Sequence, residues 1–577
     1  MKLFRDTNHS SLLDTRAAVA SFGHSGQSSW HPLSLVLLVS AWLTVLCNYP
    51  LFQEMARLGR LHSISDYVFA AGLGLIIFSA TALVLGLFAW RWLFKPVAVF
   101  MLLAGAACAY FMAAYNVVID TSMVVNALAT NPRETLDLIN WKMLLTIALL
   151  GILPSVWLVR QRLRSVRLLP LLAINAIFCI ACFVLMTLTL AVFFQNFSST
   201  MRNHTHLRYL INPLNAVYAL GDIAYKPFQR DTKTLLPIGQ DASLGASYSR
   251  TSATPSATPN ASSKPPLLLL VLGETARAAN FSLNGYARPT NPLLAKQDVV
   301  SLRNVWACGT STEASVPCMF SHLGREAFNS RSANYEGLLD VIQRAGLAVL
   351  WIDNQSGCKG TCDRIPNVNT ANLKNPAFCA SGECHDAVML DGLDARIAAL
   401  PNEKRAKGVV VVMHQMGSHG PSYFKRVPEA FKQFKPFCAT NSLQDCQQSD
   451  IVNAYDNTIL YTDYFLNSAI TWLNVSAKWS SPAMLYVSDH GESLGENNLY
   501  LHGLPYAIAP DVQKRVPWIT WLSPEFSQRS GIKAACLRKQ LDTKLSHDNY
   551  FHSVLGMLDI KTIVYRADWD IYAGCKG

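Results

Sequence analysis

The sequence predicts a two-part fold: a membrane domain of five crossing helices, then a mainly parallel, three-layer α/β domain on the outer side of the bilayer. Three observations carry that expectation. Five long apolar runs fill the first third of the chain, ten of the 14 cysteines fall after residue 194, and short strand-like runs alternate with amphipathic stretches from residue 267 onward. At 577 residues, with 51% hydrophobic and 15% charged residues, the chain is too long for one compact domain and too apolar for an ordinary water-soluble one. The formal net charge of +11 does not point to nucleic acid. The basic residues of the N-terminal half cluster in short loops between apolar runs, and membrane topology accounts for them better.

The apolar runs lie at 32–52, 67–90, 96–118, 143–159 and 170–194, each near the ~20 residues that cross a bilayer as helix. A polar arm precedes the first, and no small-residue cleavage site follows it, so no removable signal peptide is expected. Arg91 and Lys95 sit between the second and third runs, and Arg160, Arg162, Arg164 and Arg167 between the fourth and fifth. Such loops stay cytoplasmic, which places everything after residue 194 outside. The cysteines agree. Cys47, Cys108, Cys179 and Cys182 fall in the spans, and of the other ten, proximity pairs Cys308 with Cys318, Cys358 with Cys362, Cys379 with Cys384 and Cys438 with Cys446, leaving Cys536 and Cys575 for each other. An even, closely spaced set suits an oxidising compartment, and the spacings do not give the two matched CxxC pairs of a structural zinc site.

Between the third and fourth spans, the outer loop MVVNALATNPRETLDL repeats Asn126, Thr130 and Glu134 every four residues. On a helix these share one face, a polar stripe at headgroup level or else a solvated connector. After the last span, residues 196–226 mix Arg202, His204, His206 and Arg208 with Leu207, Tyr209, Leu210 and Tyr218, and read as a helix lying on the membrane. Residues 241–266 are rich in Ser, Ala, Thr and Pro, the composition of a linker, so the outer domain is expected to be tethered and not rigidly fused. The domain plan is thus 1–195 membrane, 196–266 interfacial helix and linker, 267–577 outer domain.

In that outer domain the runs 267–272, 348–352, 409–413 and 484–487 are near-continuous apolar strands. Ligands of such sheets collect beyond the carboxyl ends of the strands. Glu274, Asp353, His414, Asp489 and His490 all emerge there. The loop CGTSTEASVPC, Cys308 to Cys318, taken alone reads as a disulfide-pinned turn, but its hydroxyls, Thr310 and Thr312 among them, also suit presentation of a nucleophile. Glu274, Asp489 and His490 make an oxygen and nitrogen donor set that suits Zn²⁺ with one position open, which Thr312 is able to fill. A bare threonine hydroxyl is a poor nucleophile, and a divalent cation corrects that. His414, His419, His502 and Lys359 follow strand-like runs or turns and are donors fit for a phosphate, although a single histidine is as readily a packing residue.

These motifs, VLGETARAANFSLNGY, CGTSTEASVPCMF, GCKGTCDR, HQMGSHGP, NAYDNT, SDHGESLGENNLYLHGLPYAIAP and HDNYFHSVLG, closely resemble those of the phosphoethanolamine transferases of the alkaline phosphatase and sulfatase superfamily. The similarity is greatest to the lipid A phosphoethanolamine transferases that include the mobile colistin-resistance enzymes. The resemblance implies a periplasmic α/β/α domain of alkaline phosphatase/sulfatase type on a five-helix membrane domain. It implies that Thr312 is the nucleophile, with Glu274, Asp489 and His490 completing a Zn²⁺ site. His419 and His502 match residues associated with substrate or a second metal, and Ser356 and Lys359 match phosphate or headgroup contacts. His414 matches less closely. Asn126, Thr130 and Glu134 fall where the family's membrane domain contributes to lipid binding.

The expected enzyme is a zinc-dependent transferase of the inner membrane, monomeric and without a nucleic-acid partner. Phosphatidylethanolamine is the expected donor, a lipid A phosphate the acceptor, and a phosphoethanolamine-threonine the intermediate. Masking phosphate charge with a zwitterion weakens binding of cationic peptides, so polymyxin resistance is the expected consequence. Two rivals are a glycerophosphotransferase of the lipoteichoic acid synthase type and a non-catalytic membrane sensor that only binds phospholipid. A sulfatase is not expected, because the chain has no Cys-x-Pro-x-Arg sequence.

Overall fold

A computed structural model describes residues 29–577 except 131, 165–166, 230, 250–263, 374 and 381–382. The N-terminal polar arm to residue 28 lies outside the described residues. Among the described residues, five helices are long and apolar enough to cross a membrane: Pro32–Arg57, Ile64–Leu87, Phe94–Tyr115, Trp141–Arg160 and Leu168–Val192. They pack closely through small residues, as helices without a hydrophobic driving force between them must. A Cβ on Gly105, for instance, would stand 2.9 Å from the Leu43 side chain.

The first span contains a π-helical turn, Leu43–Cys47, whose irregular carbonyls need donors inside the bilayer. Asn48 supplies one, its Nδ2 donating to the Leu43 carbonyl at 3.0 Å. Asn212 supplies another, its Nδ2 donating to the Cys47 carbonyl at 2.9 Å and to the Gly105 carbonyl at 2.7 Å. This changes the expected interfacial helix. The segment is three pieces, Phe194–Asn203, Thr205–Leu210 and Leu214–Gln229, and its middle is pinned into the spans by the buried Asn212.

The outer domain is built on one eight-stranded sheet. Its strands are β1 (Pro266–Gly273), β2 (Val299–Trp306), β3 (Ala348–Asp353), β4 (Asn367–Asn369), β5 (Val409–His414), β6 (Ser481–Ser488), β7 (Arg515–Leu522) and β8 (Leu545–Ser546), in the order β8-β2-β7-β6-β1-β5-β3-β4. The central pairs are parallel and the sheet is covered on both faces. Alternation along β1 shows how. Leu268, Leu270 and Leu272 join one core with Tyr550, Phe551 and Val554 of helix Asp548–Met557, whereas Leu267, Leu269 and Val271 join another with Ile451, Tyr455 and Ile459 of helix Gln448–Ser476.

Strand β7 is the antiparallel member and escaped the sequence reading for a physical reason. It contains Pro517, which argues against a central strand, and the ladder to β2 accommodates it at a register shift between Val516 and Trp518. The register of the other strands decides where chemistry is placed. Leu272 of β1 lies opposite His414 and Val487, and His414 lies opposite Asp353. The next residues out, Glu274 after β1 and Asp489 after β6, are therefore neighbours at the carboxyl rim.

The linker reading needs correction. Residues 250–263 lie outside the described set, but Ser243–Leu244 pairs with Ile560–Lys561, and the Asp241 carboxylate accepts from Thr562 Oγ1 at 2.8 Å and Ile563 N at 2.7 Å. Local composition carries no trace of a partner more than three hundred residues away in the chain.

Nor is the outer domain merely tethered, for it is seated on the membrane domain. Asp137, after the third span, takes Lys425 Nζ at 2.6 Å and Arg426 Nη2 at 2.8 Å, and Arg426 also pairs with Glu383. Arg426 Nε donates to the His419 carbonyl at 2.9 Å. Leu504 and Ala509 share an apolar cluster with Leu51, Met55 and Phe69 of the spans. The outer loop also differs from the expected single helix. Helix Thr121–Ala129, capped by Asp120, stops at Thr130, and Pro132–Leu138 starts a second, because a proline suits the first turn of a helix and not its interior.

The Arg426 side chain is 2% exposed, and removing one partner of a buried ion pair typically costs about 3–5 kcal/mol. Arg426→Ala is expected to lower the unfolding free energy of the full chain in detergent by that order. Lys142→Ala, which breaks a half-exposed pair to Asp445, is expected to change it by less than about 1 kcal/mol.

Candidate active site

Three buried side chains crowd the rim of the sheet. Glu274, Asp489 and His490 each bring one donor atom within 4.8 Å of the others. Glu274 is turned inward by a strained turn: Thr275 has φ +59°, an outlier for a β-branched residue. Its backbone is held there from both sides. Thr275 N donates to Asp489 Oδ1 at 3.0 Å, and the Tyr455 hydroxyl donates to the Thr275 carbonyl at 2.7 Å. Gly417, with φ +54°, passes so close that a Cβ would stand 2.6 Å from the Glu274 carbonyl oxygen.

Thr312 opens helix Thr312–Met319, and its loop is clamped by the Cys308–Cys318 disulfide. All five cysteine pairs expected from proximity are formed, and the four span cysteines are free. The Thr312 Oγ1 stands 3.0 and 3.2 Å from the two Glu274 carboxylate oxygens and 3.4 Å from His490 Nε2. Ser315, one turn on, anchors the helix by donating to the Asp489 carbonyl at 2.5 Å.

The electrostatics show a site short of positive charge. Burial alone would raise Glu274, but the facing His414 and His490 imidazoles, with Nε2 at 3.8 and 3.3 Å, hold its carboxyl well below the usual range. Burial, reinforced by the Glu274 charge, pushes Asp489 up. For His490 burial acts downward, and Asp489 and Glu274 overcome it, raising the imidazole to about 10. Asp489 Oδ2 is buried without a hydrogen-bond partner among the described residues. His490 Nδ1 donates to the Gly491 carbonyl at 2.9 Å, which leaves Nε2 facing both carboxylates at 3.3 Å. Two carboxylates, one oriented imidazole nitrogen and a hydroxyl are a donor set that fits a divalent cation.

Against this cluster lies a cleft of about 160 Å³ that joins the two domains. Thr312, Ser356, Lys359, His419 and His502 line one side and Asn126, Thr130 and Glu134 the other, so the three polar residues of the outer loop do converge, although from two helices and not one face. Lys359 Nζ donates to Ser356 Oγ at 3.0 Å. The ring of His502 lies 4.4 Å from that of His490 and 5.3 Å from that of His419. His502 Nδ1 faces Glu492 at 3.3 Å. Burial pushes Glu492 up to about 8, and burial with the nearby His490 pushes His502 down to about 3. Burial also lowers His419, whose Nδ1 has no hydrogen-bond partner among the described residues.

His414 is placed elsewhere. It is fully buried behind Glu274, its Nδ1 3.2 Å from Asp353 and its Nε2 3.8 Å from Glu274, and it does not line the cleft. Sequence reasoning passed over Glu492, though it sits in the SDHGES run, and over Gln355, which donates to Glu134 across the domain boundary at 3.3 Å. It also passed over Phe111 and Tyr115, which line the cleft from the third span and read in sequence as ordinary membrane residues.

Comparison with known proteins completes the description. The sulfatase family profile matches residues 266–560, and the profile described as phosphoethanolamine transferase EptA/EptB matches residues 77–228. The chain is 39% identical over 553 residues to phosphoethanolamine transferase EptA of Escherichia coli K12, covering 94% of this chain and 97% of that one. It is 37% identical over 539 residues to phosphatidylethanolamine transferase Mcr-1 of Escherichia coli, covering 92% and 95%. Among solved structures, the integral membrane lipooligosaccharide phosphoethanolamine transferase A of Neisseria meningitidis aligns with TM-score 0.86 and 33% identity, covering 95% of this chain and all of that one. The C-terminal periplasmic domain of the Campylobacter jejuni transferase EptC aligns with TM-score 0.50 and 37% identity, covering 60% and 99%. Five spans and these matches put the protein in the inner membrane with its sheet domain in the periplasm. Identity of this extent along nearly the whole chain shows that it belongs to the phosphoethanolamine transferase family.

Proposed function

We propose that this chain moves phosphoethanolamine from phosphatidylethanolamine to a phosphate of lipid A through a covalent Thr312 intermediate, and that the added zwitterion confers polymyxin resistance. The observation that carries the reading is the Thr312 hydroxyl, 3.0 Å from Glu274 and 3.4 Å from His490, in the wall of a cleft shared with the membrane domain. A nucleophile so placed meets a phospholipid headgroup at the level of the bilayer.

Glu274, Asp489, His490 and Thr312 would hold Zn²⁺, which supplies Lewis acidity to the threonine oxygen and the phosphoryl group. The remaining work falls to the chain itself. Lys359 and Ser356 hold the donor phosphate, and Glu134, with Asn126 and Thr130 beside it, faces the ammonium end. The apolar wall of Phe111, Tyr115, Val117 and Ile119 leads the acyl end toward the spans. Thr312 Oγ1 attacks phosphorus, the bond to the glycerol oxygen breaks, and diacylglycerol leaves. The proton lost by Thr312 reaches that oxygen through Nε2 of His502, whose other nitrogen is kept in place by Glu492. His419 offers its partnerless nitrogen to the phosphoryl oxygens. In the second half an oxygen of the acceptor phosphate attacks the same phosphorus, the bond to Thr312 breaks, and the acceptor's proton returns to Oγ1. Dividing the transfer lets one membrane-facing site serve two bulky amphiphiles in turn.

Intact-protein mass spectrometry tests this. Given phosphatidylethanolamine and no acceptor, the full chain is expected to carry a threonine-linked phosphoethanolamine that Thr312→Ala lacks; a sensor that only binds lipid would leave Thr312 unmodified. Glu274→Gln and Asp489→Asn are expected to lose zinc and adduct together, and full adduct formation by chelator-treated protein would refute the metal's role. Lys359→Met, which removes a charged hydrogen-bond donor worth about 1.5–3 kcal/mol, is expected to raise the KM for donor by at least about tenfold.

A further inference from the structure

Two of the membrane spans depart from α-helix, and a hydrogen bond joins them there. Span one winds as a π-helix over Leu43–Cys47, directly after Trp42, and span four over Ile147–Ile152, shortly before Pro154. Pro154 has no N–H to give the Leu150 carbonyl four residues back, and the Trp42 indole Nε1 donates to that carbonyl at 3.0 Å. Such turns recur at functional sites. Beside these two lies a groove of about 440 Å³, walled by Leu38 and Trp42 of span one, Leu102 of span three, and Leu153, Pro154 and Trp157 of span four. Its lining is apolar, and the Trp42 hydrogen bond ties two of its walls together. We propose that this groove, with the arginines at its inner end, binds an anionic phospholipid of the cytoplasmic leaflet, the acyl chain in the groove and the phosphate at the arginines.

The groove lies in the inner half of the bilayer, away from the chemistry. Leu102 stands about 12 Å along span three from its cytoplasmic start at Phe94, and Leu153 about 10 Å from the cytoplasmic end of span four at Arg160, at 1.5 Å of rise per residue. Tyr115, which lines the catalytic cleft, is about 20 Å further along span three. The hydrocarbon core is about 30 Å thick. An acyl chain of the inner leaflet, spanning about half of it, therefore covers the depth of the groove and stops short of that cleft.

Span four leads from the groove to a set of cations. Leu153, Trp157 and Arg160 follow one another at helical spacing, so one face of the helix runs from apolar wall to guanidinium. Beyond it, Trp30 holds the next two arginines in an extended pairing: its N–H donates to the Arg162 carbonyl and its own carbonyl accepts from Arg164 N, both at 2.9 Å. Leu163 between them packs with Trp30 against the core of the spans, so Arg162 and Arg164 share the outward side. The Trp30 ring lies 6.2 Å from that of Trp157, which sets this basic turn at the mouth of the groove. Arg160, Arg162, Arg164 and Arg167 are exposed and make no ion pair among the described residues, and neither cytoplasmic loop, 88–95 or 160–167, contains an acidic residue. Membrane orientation accounts for positive charge here, but not for its fixed placement beside a preformed apolar groove. Arginine meets phosphate with two parallel hydrogen bonds, and a cluster of arginines favours a headgroup of net negative charge over a zwitterion, whose ammonium it repels. Basic sites between spans on the cytoplasmic side are of the kind that take anionic headgroups.

Native mass spectrometry of the full chain in detergent, titrated with dioleoyl phosphatidylglycerol in the presence of excess dioleoyl phosphatidylethanolamine, tests this. The wild-type chain is expected to hold a phosphatidylglycerol that the zwitterionic lipid does not displace. Arg160→Gln combined with Arg162→Gln leaves Arg91, Lys95, Arg164 and Arg167 to keep the orientation in the membrane. That variant is expected to bind phosphatidylglycerol at least about tenfold more weakly, the loss of one or two charged hydrogen bonds. Leu153→Trp, at a side chain 61% exposed, fills the groove and leaves every charge in place, and a comparable weakening is expected. Wild-type affinity in the arginine variant would overturn the charge selection, and wild-type affinity in Leu153→Trp would overturn the groove as the seat of the acyl chain. A wild-type chain that gives up phosphatidylglycerol to phosphatidylethanolamine would overturn the site as a whole.

Discussion

The structure depends on one electrostatic constraint: two carboxylates and an imidazole are buried together at the rim of a parallel sheet, with too little positive charge to balance them. Glu274 and Asp489 are both fully buried. An isolated charge in such a place is expensive, and a group so situated either takes up a proton or finds a cation. Against burial, the charge of the two carboxylates raises the His490 imidazole to about 10. Much of the nearby architecture keeps this costly arrangement in being. The Thr275 turn aims one carboxylate, the in-register strands bring the other beside it, and Asp353 with His414 supports Glu274 from behind.

The sheet domain was legible in sequence to the extent that buried parallel strands announce themselves. Runs such as LLLLVLG and VVVVMH are apolar without alternation because both their faces are covered. Their carboxyl ends then located Glu274, His414, Asp489 and His490 before any coordinates. The cysteine pairs were legible because each partner lies close along the chain, Cys536 and Cys575 being the last two left. Much of what escaped notice depends on a distant partner. Pro517 disguised a central strand, residues 241–249 were ordered by contacts with 559–563, and the stripe Asn126, Thr130, Glu134 was read as one helix although Pro132 divides it. His414, the weaker of the histidine candidates in sequence, faces Asp353 and not the cleft.

The seating of the periplasmic domain follows from the same distinction. The composition of residues 241–266 spoke for a loose tether, yet Asp137, Lys425, Arg426 and Glu383 form an ion network across the boundary that no local signal betrays. Its effect is chemical as well as mechanical. Asp137 shares helix Pro132–Leu138 with Glu134, and Arg426 holds the backbone of His419, so one network fixes the two walls of the cleft against each other. A site divided between a membrane domain and a soluble one requires such a brace. A shift of about 1 Å in a reacting group already costs roughly a hundredfold in rate.

The central claim is that a divalent metal joins Thr312 to Glu274, Asp489 and His490. Anomalous diffraction at the zinc absorption edge from crystals of the full chain tests it most directly. The account predicts a single strong peak about 2.0–2.2 Å from the Thr312 hydroxyl, one oxygen of each carboxylate and His490 Nε2. A map without a peak there, from protein that forms the threonine adduct at its full rate, would contradict it.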